Sequence, residues 1–392
     1  MTITAADRTR GLTPSGIRAV HARALELEHA GERVLHFELG RPDFDTPGYI
    51  KRAAIERLQA GDVFYTPNRG ILELREAIAR DLVRRKGVPA DAAHVIVTAG
   101  ASEGVLDTLL ALVNRGDEVL VPDPGWVNYA SVARFAGGVP VGYPLRDERG
   151  FMPDPEELER LVTPRTKAIV LINPGNPTGA VLDEGTLVGI ADIARGHDLA
   201  VIADEIYERF TYDGARHVSM ASLPGMAERT VTLGGFSKAY SMTGWRVGWV
   251  LAPDALLGPI ATIHQQNSNC AASFSQYACV VALEGERGEV ERMVEAYRER
   301  RDAVVAGLAG VPGISCVVPA GAFYAFANIA GVADDDTAFA RELLEREHVA
   351  VVPGRVFGPT GAGHIRISFA SSLADVREGM DRLARFARAY GA

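Results

Sequence analysis

From about residue 94 onward, short apolar runs alternate with stretches in which apolar residues recur every three or four positions. HVIVT gives way to SEGVLDTLLALVNRG, whose apolar positions follow a helical period and stop at Gly116. EVLVP is followed by WVNYASVARFAGG, VPVGYPL by PDPEELERLV, and KAIVLIN by LDEGTLVGIADIARGHD and then LAVIADE. RTVTLGG and WRVGWVLA add two further strand candidates. Runs of β-branched residues bounded by Gly and Pro, with helices between them, predict βαβ units. The fold class expected is α/β, a mostly parallel sheet with helices on both faces.

The two ends read differently. Around and beyond residue 296 come a long charged helical pattern (EVERMVEAYRERRDAVVAGLAG), short strand patterns (ISCVVP, AFYAFAN) and closing helices. With 392 residues, the chain exceeds what one core ordinarily supports. We expect a large domain over residues 46–295 and a smaller α+β domain built from both termini, residues 1–45 and 296–392.

A hydrophobic fraction of 47% and a charged fraction of 23% fit an ordinary globular protein. The net charge of −9 opposes any general attraction to nucleic acid or an anionic membrane surface, so neither is an expected partner. The basic run Arg84-Arg85-Lys86 before Gly87 reads as a helix C-terminus. Three cysteines, Cys270, Cys279 and Cys316, form no CxxC pair, which argues for a reducing compartment over a disulfide framework. The N-terminal MTITAADRTRGLTPSG has no apolar h-region. No run of about 18 apolar residues occurs to span a bilayer. A cytoplasmic location is expected.

Candidate chemistry starts from lysine. Only Lys51, Lys86, Lys167 and Lys238 are present. Lys238, in GGFSKAYSMTGWRVG, lies between small residues just past an apolar strand pattern, where α/β sheets bind ligands. The other three have bland surroundings, and a surface loop lysine remains the alternative for Lys238. Asp204 and Tyr207 fall in AVIADEIYERF, at the end of a buried strand pattern. A carboxylate there needs a positive partner, such as a pyridinium nitrogen, unless it caps a following helix.

NPGNPTG, residues 173–179, follows the strand pattern KAIVLI and reads as a rigid, donor-poor turn holding the Asn176 amide at the sheet edge. TAGASEG, residues 98–104, joins a strand to a helix whose first N–H groups can face a phosphate. No GxGxxG or Walker lysine occurs, and the nine histidines show no HxH or HExxH pairing, so no metal site is expected.

Taken in order, NPGNPTG, ADEIY, SKAYSMTGWRVG and HIRISFA, with ELGRPDFDTP and YTPNRGILELREAIA earlier, resemble the class I/II aminotransferases of pyridoxal-phosphate (PLP) fold type I. The likeness runs from about residue 12 to 390. It implies that Lys238 holds PLP as an internal aldimine and acts as the catalytic base. By the same resemblance Asp204 pairs with the pyridine nitrogen, Tyr207 and Asn176 bond the ring oxygen, and Trp126 stacks on the ring. Ala101, Ser102, Ser237 and Arg246 would hold the phosphate, and Tyr65 would reach the phosphate of a second subunit in a homodimer. Arg366 would fork onto the substrate α-carboxylate, assisted by Gly40 and Asn176.

The chain departs from the family pattern twice. Gly235 stands where relatives often carry a serine three residues before the lysine, so that phosphate contact is either absent or shifted onto Ser237. Arg41 follows Gly40 where Glu is common; it could contact a substrate side chain, and a surface arginine is the favoured reading. The implied reaction moves an amino group between an L-amino acid and a 2-keto acid through pyridoxamine phosphate. A C–S lyase, a ring-forming synthase, an oxygen-dependent amino acid oxidase and a PLP-binding regulator are the competing readings. The amino acid substrate is open at this level.

Overall fold

The computed structural model describes residues 3–6, 9, 12, 15–285 and 288–390. Its strands are β1 (Leu35–His36), β2 (Val95–Thr98), β3 (Glu118–Asp123), β4 (Val139–Pro144), β5 (Thr166–Ile172), β6 (Ala200–Asp204), β7 (Thr230–Gly235), β8 (Gly248–Leu251), β9 (Ser315–Cys316), β10 (Tyr324–Asn328), β11 (Val349–Ala350), β12 (Val352–Pro353) and β13 (His364–Ser368). Its helices are α1 (Gly16–His29), α2 (Gly48–Ala60), α3 (Leu72–Lys86), α4 (Ala101–Leu112), α5 (Asn128–Phe135), α6 (Pro155–Arg160), α7 (Glu184–Gly196), α8 (Asp254–Asn267), α9 (Ser273–Glu284), α10 (Gly288–Ala309), α11 (Asp336–Glu347) and α12 (Leu373–Tyr390).

Seven strands form the central sheet in the order β2-β8-β7-β6-β5-β3-β4. All neighbours are parallel except β8, which runs antiparallel to both β2 and β7. The reason β5 is apolar at every position from Ala168 to Ile172 is visible in its packing. Ala168, Val170 and Ile172 join one core, while Ile169 and Leu171 join the core on the opposite face. Side chains alternate across a strand, so a run buried on both faces must be apolar at every position.

A four-stranded antiparallel sheet, β12-β13-β10-β9, and the parallel pair β1-β11 lie beside the main sheet. Val170 of β5 and Phe323 and Ile365 around the smaller sheet share one core cluster, so the two sheets are joined by continuous apolar packing. Helix α10 runs across residue 295, the position at which the sequence suggested a domain boundary.

Three local expectations shift. WRVGWVLA pairs only from Gly248, because Arg246 adopts a left-handed backbone (φ 55°) after the 3₁₀ turn Thr243–Trp245 and cannot continue a strand. Of ISCVVP, only Ser315 and Cys316 find partners on β10. No helix follows Asp204: the chain turns, and its carboxylate accepts the Ile206 N–H at 3.1 Å rather than capping a helix. As read from sequence, α3 does end at Lys86 before a left-handed Gly87 (φ 64°).

Candidate active site

Chain direction brings the site together. β3 and β4 run outward from the middle of the sheet, and β5 returns to the other side of β3, followed by β6 and β7. The reversal leaves a crevice beyond the carboxyl ends of β3, β5 and β6, the place where open α/β sheets bind ligands. A cavity of about 790 Å³ opens there. Gly40, Ala101, Ser102, Trp126, Asn176, Asp204, Tyr207, Ser237, Lys238, Arg246 and Arg366 all line it, each singled out in the sequence. A wider open groove of about 1270 Å³ along α3, walled by Arg69, Arg75 and Arg80, contains none of them.

Lys238 sits in the turn after β7. Its amine donates to the Gly40 carbonyl at 2.6 Å and lies 5.6 Å from the Tyr207 ring centre and 5.8 Å from that of Phe323. Burial, aided by the Arg366 guanidinium, pulls the amine down from 10.5 to about 8, while Asp204 opposes the shift. Gly40 has no substitute at its position. A Cβ there would lie 1.9 Å from the Tyr324 hydroxyl oxygen, so only glycine lets the backbone come this close.

At the floor, Asp204 ends β6 with 3% exposure. Its carboxylate accepts from the Tyr129 hydroxyl at 2.8 Å and from the Ile206 N–H, and has no cation within ion-pair range among the described residues. Burial pushes it up from 3.8 to about 6. The Tyr207 and Tyr324 hydroxyls share a hydrogen bond of 2.7 Å, and burial pushes both above their ordinary value.

Arg366, on β13, is 1% exposed. Its guanidinium donates to Asn176 Oδ1 at 3.1 Å and to the Glu38 carbonyl, and stacks 4.6 Å from the Tyr324 ring centre and 4.9 Å from that of Phe357. Its Nε is buried without a hydrogen-bond partner among the described residues. Burial lowers the guanidinium from its usual value. Asn176 is held by the turn 173–179, where Asn173 Oδ1 accepts the Leu182 N–H at 3.0 Å and both prolyl bonds are cis.

The phosphate-binding candidates meet at the start of α4. Arg246 donates to the Thr243 carbonyl at 2.9 Å and the Ala99 carbonyl at 3.2 Å, and packs so tightly that a Cβ on Gly100 would lie 2.5 Å from its Nη2. Gly248 likewise lets β8 approach the Ala101 amide, 2.4 Å from where its Cβ would be. The first N–H groups of a helix lack intrahelical acceptors and suit an anion. Gly235 is paired in β7 opposite Gly248 and is not part of the cavity wall, whereas Ser237 is.

Two further residues singled out in the sequence are exposed. Tyr65 is 86% exposed and does not line the cavity of its own chain. Arg41, read as a surface arginine, is exposed but also walls the cavity mouth beside Arg18.

Sequence reasoning missed Tyr129, Tyr324, Glu38 and His21. Tyr129 lies three positions past Trp126, in the same DPGWVNY segment, and its ring meets that of Trp126 edge-on at 5.3 Å. Tyr324 sits in an apolar strand pattern that carries no chemical signal. Lys86 was judged bland, yet its amine is buried 2.7 Å from Glu205, the residue next to Asp204.

A fold-type-I sheet with a buried lysine, a buried carboxylate and a buried arginine at its switch point fits a PLP-enzyme class. The aminotransferase class I and II family model matches residues 32–383, and the chain belongs to that family. It is 41% identical over 380 residues to aromatic-amino-acid aminotransferase 2 of Thermococcus litoralis, covering 96% of each chain. It is 42% identical over 380 residues to the aspartate aminotransferase of Pyrococcus horikoshii, again covering 96% of each. The solved aspartate aminotransferase from Thermus thermophilus with maleate superposes with a TM-score of 0.94 at 40% identity, over 98% of this chain and 100% of that one. The protein is a PLP-dependent aminotransferase that moves an amino group between an amino acid and a 2-keto acid.

Proposed function

We propose that transamination is carried out in the 790 Å³ cavity, with Lys238 as cofactor anchor and proton carrier. The observation carrying this reading is that a buried amine, pulled down to about 8, and a buried carboxylate with no ion-pair partner among the described residues line the same cavity. The residues fit the cofactor. Asp204 faces the position where a pyridinium nitrogen would restore its charge balance, and Trp126 stands at the cavity wall as a ring platform. Ser102, Ser237, Arg246 and the amides of Ala101 and Ser102 converge where a phosphate would sit.

When bound, PLP supplies the electron sink for the pair released at the substrate carbon. Arg366, with Asn176 and the Gly40 backbone, would bind the α-carboxylate and so orient the Cα–H bond toward Lys238. The Lys238 amine, already lowered toward neutrality, would take that proton and return it on the other side of the reaction. Asp204 would keep the ring nitrogen protonated. Tyr207 and Asn176 would hold the ring oxygen.

We also assign residues 46–295 to a large domain and residues 1–45 and 296–392 to a small one, with α10 shared across the boundary. A homodimer is supported by Val63, Phe64 and Tyr65, three consecutive residues exposed by 54%, 80% and 86%. Tyr65 would then reach the phosphate of the second copy. A cytoplasmic location is supported by three free cysteines. No helix among the described residues is long and apolar enough to cross a membrane.

Borohydride treatment of the cofactor-loaded protein, followed by peptide mass mapping, tests the anchor. The reading expects the cofactor mass on the peptide containing Lys238. Finding it on Lys51, Lys86 or Lys167 instead would remove the assignment.

A further inference from the structure

Glu38 joins two parts of the cavity that the reaction must coordinate. Its backbone carbonyl accepts from the Arg366 guanidinium. Its side chain, fully buried, accepts from two imidazoles through the same oxygen: His21 Nδ1 at 2.8 Å and His36 Nδ1 at 2.9 Å. His21 belongs to α1, whose first two turns, with Ser15, Ile17, Arg18 and His21, wall the cavity mouth. His36 is held in turn by Glu28 of α1 at 3.1 Å. The rear of α1 is fastened separately, by Ala24 packing with Leu344 and by the Arg23–Glu345 ion pair at 2.6 Å. At the end nearest the cavity, the Glu38 cluster ties α1 to the strand segment leading to Gly40.

A buried carboxylate is a costly way to fasten a helix, and here the other oxygen, Oε2, finds no side-chain partner among the described residues. Apolar packing would hold α1 more cheaply. Charge at this position gives something packing cannot: the His36–Glu38 bond is charge-assisted only while His36 is protonated, and Glu38 is the same residue that receives Arg366. We propose that Glu38 is a positioning residue that fixes α1 over the substrate end of the cavity to the backbone holding Arg366, so that carboxylate binding and seating of α1 are coupled. The proposal rests on Arg366 as the carboxylate fork.

The groups facing Glu38 are His21 and, through His36, Glu28 from α1, His36 from its own segment, and Arg366 from β13. Its hydrogen bond to Glu38 outweighs burial and raises His36 from 6.5 to about 9. Burial alone would push Glu38 up, but the imidazoles hold it below its ordinary 4.5. The His36 contribution is therefore complete below pH 6.5 and lost as pH rises through about 9. The Glu38 contribution is present above pH 4.5 and lost on acidification.

Steady-state kinetics of the holoenzyme test this, using whichever of L-aspartate, L-phenylalanine, L-tyrosine and L-arginine it turns over fastest. A substrate that needs α1 seated binds only the seated fraction, so losing a charge-assisted contact should raise KM. Glu38→Gln is expected to raise KM at neutral pH by about 10-fold or more while kcat changes by less than about threefold. In the unmodified enzyme KM should climb as pH passes about 9, and in Glu38→Gln that climb should disappear. An unchanged KM with an unchanged pH profile overturns the proposal, as does a fall in kcat alone. Should Glu38→Gln fail to fold, His21→Asn, which leaves Glu38 and Arg366 in place, is judged by the same KM criterion. Arg366→Gln separates the two layers. If it leaves KM unaltered, the carboxylate fork itself is wrong; if it raises KM while Glu38→Gln does not, only the coupling fails.

Discussion

Asp204 and Glu205 are adjacent in sequence and equally buried, at 3% and 2% exposure, yet they live in opposite electrostatic worlds. Glu205 is matched within the chain: Lys86 lies 2.7 Å from one oxygen and the Ser219 hydroxyl 2.6 Å from the other. Around it Arg85, Asp81, Glu208 and Arg209 complete a network. Burial would raise Glu208, but Lys86, Arg85 and Arg209 outweigh it and hold the carboxyl well below its ordinary range. Asp204 receives only a phenol and one backbone amide, and its carboxyl rises to about 6. Where the chain supplies every countercharge, the charges are architecture. Where one is left unmatched beside a cavity, a ligand is expected to match it.

Substitutions on each side should break this contrast in opposite ways. Lys238→Ala should cut transamination by at least about 10³-fold, as loss of anchor and base together. The cofactor-free protein should stay folded, because the amine removed has no ion-pair partner. Retained turnover above that level would shift the chemistry to another group. Lys86→Ala should do the reverse. Leaving Glu205 buried and unpaired should destabilise the protein by about 3–5 kcal/mol in denaturant unfolding, with kcat per folded molecule little changed. A loss of kcat with normal stability would place Lys86 in the reaction instead.

Asp204→Asn should stabilise the cofactor-free protein while impairing catalysis. The native pKa of about 6 exceeds the ordinary 3.8, so the carboxylate opposes folding once ionised. That cost is absent below pH 3.8, grows to about pH 6 and is complete above it. Two units at about 1.4 kcal/mol each make the gain up to about 3 kcal/mol. Unfolding of apo wild type and variant at pH 5 and pH 8 measures it. An equal difference at both values would mean that Asp204 does not titrate as its surroundings require. The smallest effect concerns the subunit boundary. Tyr65→Phe should weaken cofactor affinity about 5- to 10-fold, the worth of one hydrogen bond, with folding intact. Unchanged affinity in a cofactor titration removes the argument for a shared site.

Much of the fold was legible because its signals are local. The β5 run KAIVLI had to be buried on both faces, and residues bounded by Gly and Pro marked the strand ends where Asn176, Asp204 and Lys238 stand. Arg246 shows where local reading stopped: nothing in WRVG announces a left-handed backbone, so the strand was started too early. Lys86 stopped it differently. A lysine in a basic helix end looks solvated until Glu205, 119 residues away in sequence, is packed against it.

The sequence by itself determined the sheet, the glycines on which close approach depends, and the order of the residues that line the cavity, since each follows from short-range pattern and steric limits. Only the tertiary structure decided which buried charges are paired, because countercharges come from distant segments. It alone brought Tyr324 to Tyr207 across 117 positions, and Glu38 to His21 and Arg366. Burial changes a carboxylate's energy by kilocalories, and no pattern within a segment reveals what the rest of the chain will place beside it.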